Sequence, residues 1–314
     1  MTCLVTEPFQ PAGPRLAVAT PLGLPARTAI LLVGDVHGQR DAFEALLARL
    51  ARIPTPGATR HLVLLGDLID RGPDSLGCLE TGLARAADMA GADTVTRLPG
   101  NHELMLADAL ETARRLDGRL PGRDDFEVMD IWLGNGGIAV VDEALGHARG
   151  GPQAFIAELD DALTARFGDL AAQIRAWPSH LRMGHVLMVH AGLDPRRPQP
   201  ETLDLAQAGH RFVDPHWAWI RDPFLRHQEG WPLGGRAAGA EDPGDLVFHG
   251  HTVPRKLETR ALRDEDDLRA VLDRCATNAR ICLDGGAARH RGVAGAVLTG
   301  ETVRLAWAPC RPMT

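Results

Sequence analysis

The stretch Ala29-Ile-Leu-Leu-Val-Gly-Asp-Val-His-Gly38 sets the terms on which the rest of the chain is read. Its first five residues form a short apolar run, the pattern of a buried strand. The run stops at Gly34, and glycine permits a sharp turn after a strand. Asp35 and His37 follow at once, so two polar side chains sit just beyond the strand's end. Residues 40–52 then carry Phe43, Leu46, Leu47 and Leu50 at helical spacing, and Pro54 follows the expected end. The same order recurs twice. His61-Leu-Val-Leu-Leu65 leads into Gly66-Asp67 and a helix expected near 74–90, and a strand near 93–98 leads into Pro99-Gly100-Asn101. Strand, polar turn and helix in alternation predict an α/β fold. Its polar turns lie where open α/β sheets place their sites.

Further along, residues 104–178 read as mainly helical, with Gly-rich breaks at 134–137 and 146–151, and we expect a helical insertion on one side of the core. Val186-Leu-Met-Val-His190 predicts another strand with a polar residue at its end. Residues 194–245 are rich in Pro, Gly and Trp and read as a long loop region. Residues 246–248, 255–260, 280–284, 293–298 and 302–307 read as short strands of a second sheet, and the acidic run Asp264–Asp267 as a solvated helix start. The expected organisation is an N-terminal extension over 1–28 and one domain over 29–314.

Composition narrows the class. With 45% hydrophobic and 24% charged residues, the 314-residue chain reads as an ordinary globular protein. A net charge of -7 argues against a nucleic-acid binder held by phosphate neutralisation. Lys256 is the only lysine, so nearly every cation is a planar guanidinium suited to phosphate and carboxylate. Cys3, Cys78, Cys275, Cys282 and Cys310 are odd in number and widely spaced, which speaks against a disulfide framework. Residues 1–27 lack the basic start and apolar core of a signal peptide, and no apolar run approaches the roughly 20 residues that span a bilayer. A cytoplasmic protein is the expectation.

Five segments carry the chemistry: Gly34-Asp35-Val-His37-Gly38, Gly66-Asp67-Leu-Ile-Asp70-Arg71-Gly72, Gly100-Asn101-His102-Glu103, His190-Ala-Gly192 and His249-Gly250-His251-Thr252. Singly each is weak, since an Asn-His pair is a common turn and a histidine closing an apolar strand is often a core residue. Together they pair metal-capable side chains with glycine at successive strand ends. Carboxylate, imidazole and amide oxygen without thiolate suit Mn, Fe or Zn rather than a structural Cys-zinc site. Two metals about 3.5–4 Å apart need a bridging carboxylate and can activate a shared water for in-line attack on phosphorus.

In this order the segments resemble the calcineurin-like metallophosphoesterases, and among them the phosphoprotein phosphatase family of Ser/Thr phosphatases, over about residues 29–307. The resemblance implies a four-layer α/β/β/α sandwich and two divalent metal ions, Mn first, with Fe or Zn as alternatives. It implies that Asp35 and His37 bind the first metal, that Asp67 bridges, and that Asn101, His190 and His251 bind the second. It also implies a metal-bridging hydroxide as nucleophile, His102 as general acid, Asp70 as the residue orienting it, and Arg71 as a grip on phosphate oxygens. Trp219-Ile-Arg221 resembles the segment bearing a second phosphate-binding arginine in bacterial members, which selects Arg221.

Departures from the pattern refine the branch. Val253 stands where phosphodiesterases of the wider family carry a second histidine. Pro99 stands where eukaryotic Ser/Thr phosphatases carry arginine, and Trp132-Leu-Gly-Asn-Gly-Gly137 resembles the bacterial members. Symmetrical diadenosine tetraphosphatases usually have Asp and Trp where this chain has Glu103 and Thr252. Many members carry a tyrosine in a late loop, whereas this chain has none and places Ala287 or Ala288 there. The expected substrate is a phosphorylated protein, with diadenosine tetraphosphate or another small phosphoester as the rival.

Overall fold

The computed structural model describes residues 3–8, 22–116, 119, 122–146, 152–197, 216–227, 230–233, 244–254, 279–300 and 302–311. Its strands are β1 (Cys3–Pro8), β2 (Thr28–Val33), β3 (Thr59–Leu64), β4 (Thr94–Arg97), β5 (His180–Met183), β6 (Val186–Val189), β7 (Leu246–His249), β8 (Arg280–Cys282), β9 (Gly292–Thr299) and β10 (Thr302–Pro309). Its helices are α1 (Arg40–Arg52), α2 (Ser75–Glu80), α3 (Ala86–Ala90), α4 (Asn101–Leu116), α5 (Arg123–Trp132), α6 (Ile138–Leu145), α7 (Pro152–Phe167), α8 (Leu170–Ala176) and α9 (Asp222–Leu225). No helix among the described residues is long and apolar enough to cross a membrane.

Two mixed sheets form an α/β sandwich. The first has strand order β1-β10-β9-β2-β3-β4, and the second β5-β6-β7-β8. Strands β2, β3 and β4 run parallel, as do β6, β7 and β8. Two parallel sets therefore end in polar loops, and these loops build the site. Strands β2, β6 and β7 are buried almost throughout, as their unbroken apolar runs require. Helix α1 buries Ala42, Phe43, Leu46, Leu47 and Leu50 on one stripe and packs on β9, β10 and α3. Each such large side chain taken from water contributes about 1.5–3 kcal/mol.

Some expectations are redrawn. Residues 293–298 and 302–307 belong to the first sheet, where β9 pairs antiparallel with both β2 and β10. Apolar character alone does not choose between sheets; the backbone register of β9 against Ala29–Val33 does. β1 pairs with β10 as a further antiparallel strand, although Cys3–Pro8 carries no sheet signal of its own. The helix expected over 74–90 is α2 and α3 joined by a wide π-turn over Thr81–Arg85. His180–Met183, where no strand is expected, is the half-buried β5. The strand expected over 255–260 and the acidic run 264–267 lie outside the described residues. Helices α4 to α8 occupy the region read as helical, with α4 packed on α5, α7 and α8.

Candidate metal centre

Backbone strain marks one place in the molecule. Eight non-glycine residues among those described have positive φ, and five of them are His37, Asp67, Asp70, Arg71 and His251. Each such residue costs on the order of 1–3 kcal/mol and persists only where the surroundings overdetermine it. All five lie in loops that follow β2, β3 and β7. The two sheets meet at this point, since a Cβ on Gly34 would collide with the Leu283 carbonyl beyond β8.

Asp67 is the hub. Its Oδ2 lies 3.6 Å from His37 Nε2, 3.3 Å from His190 Nε2 and 4.0 Å from His102 Nε2. Two compact groups of potential ligands result, one of His37, Asp67 and His102, the other of Asp67, His190 and His251, with Asp67 in both. Asn101 opens α4 and places Oδ1 3.2 Å from His190 Nε2 and 2.8 Å from His251 Nδ1. Asp35 lies with Oδ2 3.9 Å from His37 Nε2, and its carboxylate accepts the His251 backbone N–H at 3.0–3.1 Å. The five ligand-bearing loops thus converge, and Asp35, His37, Asp67, Asn101, His190 and His251 are all buried.

The outward hydrogen bonds assign the imidazole tautomers. His37 Nδ1 donates to Ile69 O at 3.1 Å and His190 Nδ1 to Leu65 O at 2.9 Å, which leaves each Nε2 facing inward. His251 is reversed: Nε2 donates to Trp219 O at 3.2 Å and Nδ1 faces inward. Burial holds His37 and His251 well below the usual imidazole range, so both are neutral and offer lone pairs. Burial, with Asp284 and Asp67 nearby, raises the Asp35 carboxyl well above its usual range. Burial pulls His190 down, but Asp67 and Asp35 outweigh it and lift that imidazole to about 9. The crowded carboxylates, the inward lone pairs of His37 and His251 and the positive charge drawn onto His190 beside Asp67 together mark a pocket that calls for cations. Divalent cations meet that demand, and the donor set fits them.

Beside this pocket stands a second unit. His102 Nδ1 is 2.6 Å from Asp70 Oδ2, and both residues are fully buried. Burial raises the Asp70 carboxyl, against the opposing pull of His102 and the Trp132 indole. The Arg71 guanidinium brings Nη1 to 3.3 Å from His37 Nε2. Arg221 is close enough for its charge to depress His251. His249 belongs elsewhere: it ends β7, packs edge-on against Phe224 at 4.9 Å, and burial pushes it down to about 3, a neutral core histidine.

Sequence reading gave no role to three buried residues around this arrangement. Glu103 is fully buried and accepts the backbone N–H groups of Asp67, Leu68 and Gly100 at 2.7, 2.7 and 2.9 Å. It pins the Asp67 loop to the start of α4. Its place in the Gly-Asn-His-Glu segment was the available signal. Glu103→Ala would leave three buried donors unpaired, each worth roughly 1–3 kcal/mol. We expect a loss of about 3 kcal/mol or more, read as the urea midpoint of the metal-free protein; an unchanged midpoint would remove the clamp. Trp132 donates to Asp70 from α5, and Asp284, buried beyond β8, is raised to about 6 by burial and by Asp67.

Comparison with known proteins agrees with this architecture. A symmetrical bis(5'-nucleosyl)-tetraphosphatase of Acidovorax sp. is 34% identical over 57% of this chain and 49% of its own length. Serine/threonine-protein phosphatase 1 of Salmonella typhimurium is 38% identical over 34% of this chain and 38% of its own length. The chain therefore spans about half or less of these two curated relatives. A crystal structure of a cold-active protein-tyrosine phosphatase from a psychrophilic Shewanella shares the fold, with a TM-score of 0.50 at 16% identity over 97% of this chain and 91% of that one. Residues 28–255, which contain the five loops that carry Asp35, His37, Asp67, Asn101, His190 and His251, match the family model for calcineurin-like phosphoesterases, and the chain belongs to that family.

Proposed function

We propose that the chain is a dinuclear metal-dependent phosphomonoesterase acting on phosphoserine and phosphothreonine in proteins. The observation that carries this reading is the position of Asp67, one carboxylate shared by two ligand groups with an Asp-paired histidine beside it. Asp35 and His37 would hold one ion, Asn101, His190 and His251 the other, and Asp67 both. Manganese is the leading candidate, with iron or zinc as alternatives. Two divalent ions, when bound, supply Lewis acidity toward phosphoryl oxygens and lower the pKa of water. The protein's own share is positioning and electrostatics. Arg71, whose Nη1 is 3.3 Å from His37 Nε2, and Arg221, whose charge reaches His251, would neutralise the outer phosphoryl oxygens. His102 would present Nε2 to the leaving-group oxygen while Asp70 fixes Nδ1, which keeps the ring in the donating orientation.

A second reading is hydrolysis of diadenosine tetraphosphate, favoured by the name of the Acidovorax relative. Glu103 and Thr252, where those enzymes usually carry Asp and Trp, support the phosphoprotein reading instead. The two are separated by kcat/KM on phosphopeptides, diadenosine tetraphosphate and an aryl phosphate, measured side by side. A much higher value on the dinucleotide would overturn the leading reading. Metal dependence is tested separately. Chelation is expected to abolish hydrolysis and lower the melting temperature, and manganese to restore both, since a ligand at 100 times its dissociation constant stabilises by about 2.7 kcal/mol. Full activity after exhaustive chelation would contradict a metal enzyme.

A further inference from the structure

The turn Trp132-Leu-Gly-Asn-Gly-Gly137 joins α5 to α6 and reaches across to the loop after β3. Trp132 Nε1 donates to Asp70 at 3.1 Å from Oδ2 and 3.3 Å from Oδ1. Asp70 Oδ2 is the atom that also meets His102 Nδ1. Three and four residues on, main-chain oxygens of the turn take up Arg71. Its Nε donates to Asn135 O at 3.0 Å and its backbone N–H to Gly136 O at 3.2 Å. Asn135 is itself tied to Ile131 O through Nδ2 at 2.7 Å.

We propose that this turn is a positioning device that aims the acid pair and the phosphate-gripping arginine together, Trp132 through Asp70 and Gly136 through Arg71. The inference rests on the phosphoesterase reading of the site and adds a task for the helical region. An indole can only donate, so Trp132 fixes the Asp70 carboxylate without competing for its proton. With Nε spent on Asn135 O, the guanidinium turns its Nη end toward the pocket. Asp70 and Arg71 both stand in the left-handed region, at φ 72° and 69°, and Ser75 Oγ and Gly136 O accept their two N–H groups. The two glycines fit the contact. Gly136 has φ 112°, and a Cβ there would come 2.5 Å from Arg71 Cγ. A Cβ on Gly137 would collide with the Trp132 indole. The segment between α5 and α6 is thus part of the site's wall.

The two halves of the device separate in kinetics. With the full chain and manganese, Trp132→Phe should lower kcat on phenyl phosphate by about tenfold or more, within the range that supporting partners of active groups provide. Its effect on 2,4-dinitrophenyl phosphate, whose leaving group needs no proton, should be under about threefold, and inhibition by inorganic phosphate should not change. Gly136→Ala should do the reverse: phosphate inhibition weakens about tenfold and both esters lose equally. Metal content serves as the folding control for both. Equal loss on both esters in Trp132→Phe, or an unchanged phosphate inhibition constant in Gly136→Ala, overturns the proposal.

Should Trp132→Phe not fold, Asp70→Asn is read by NMR. One of the six indole N–H signals should move while the others hold, and an unchanged set overturns the proposal. Metal-loaded wild type inactive on both esters defeats the phosphoesterase reading and this inference with it. Wild-type activity with uniform losses in Trp132→Phe defeats the positioning alone.

Discussion

Asp67→Asn is expected to weaken metal binding at both sites at once, by at least about 100-fold, because even partners that only support a ligand are worth 10- to 100-fold. Asp67 Oδ2 lies within 3.3–4.0 Å of three inward imidazole nitrogens, on His190, His37 and His102. An asparagine keeps the shape and can still accept the His102 backbone N–H that Asp67 Oδ1 takes at 3.1 Å. What changes is the charge, and an amide N–H₂ can then occupy the position of Oδ2. Burial works to protonate Asp67, yet His190 and His102 hold it well below the usual carboxylate range, so the position is built for an anion. Asp35→Asn gives the comparison. Asp35 has only His37 of these imidazoles within 4 Å, at 3.9 Å, and an asparagine there can still accept the His251 backbone N–H, so this change should weaken the site of Asn101, His190 and His251 far less than Asp67→Asn does. Elemental analysis and calorimetric titration of both variants test the hub. If Asp67→Asn retained metal as well as Asp35→Asn does, the shared role would be lost.

The candidate ligands were legible in the sequence because each is local. Asp35, Asp67, Asn101, His190 and His251 lie within four residues of a strand end, so the apolar run and the polar turn are read in one window. Arg221, chosen by resemblance, is near enough for its charge to act on His251. What escaped was whatever depends on distant partners. Glu103 serves donors 35 and 36 residues away, and Trp132 meets Asp70 across 62 residues. No periodicity or turn signal encodes such a pairing. The assignment of β9 and β10 to a sheet failed for the same reason, since β9 meets a strand formed by residues 29–33. Asp284 was passed over because it follows a three-residue strand with no flanking histidine to draw attention. A chain whose site is assembled from strand ends shows its candidate ligands readily, and hides the residues that fix their angles.

His102→Asn is expected to lower turnover on phosphoserine peptides by about 100- to 10,000-fold, the range over which a general acid acts. A serine alkoxide is a poor leaving group and must be protonated as the bond to phosphorus breaks. His102 is placed for that: Nδ1 is fixed by Asp70 at 2.6 Å and Nε2 faces the Asp67 side of the pocket at 4.0 Å. Its appearance in the same compact group as His37 and Asp67 raises the alternative that it is a metal ligand. The two roles separate on the leaving group. An acid matters little for 2,4-dinitrophenyl phosphate, whose phenolate departs without a proton, so that activity should survive His102→Asn with metal content intact. A ligand matters for every substrate, because its loss removes metal from the site. The variant's kcat across a series of aryl phosphates should therefore fall steeply with rising leaving-group pKa, while the wild type stays nearly flat. Equal loss on all members of the series, with metal missing, would move His102 from the acid to the ligand shell.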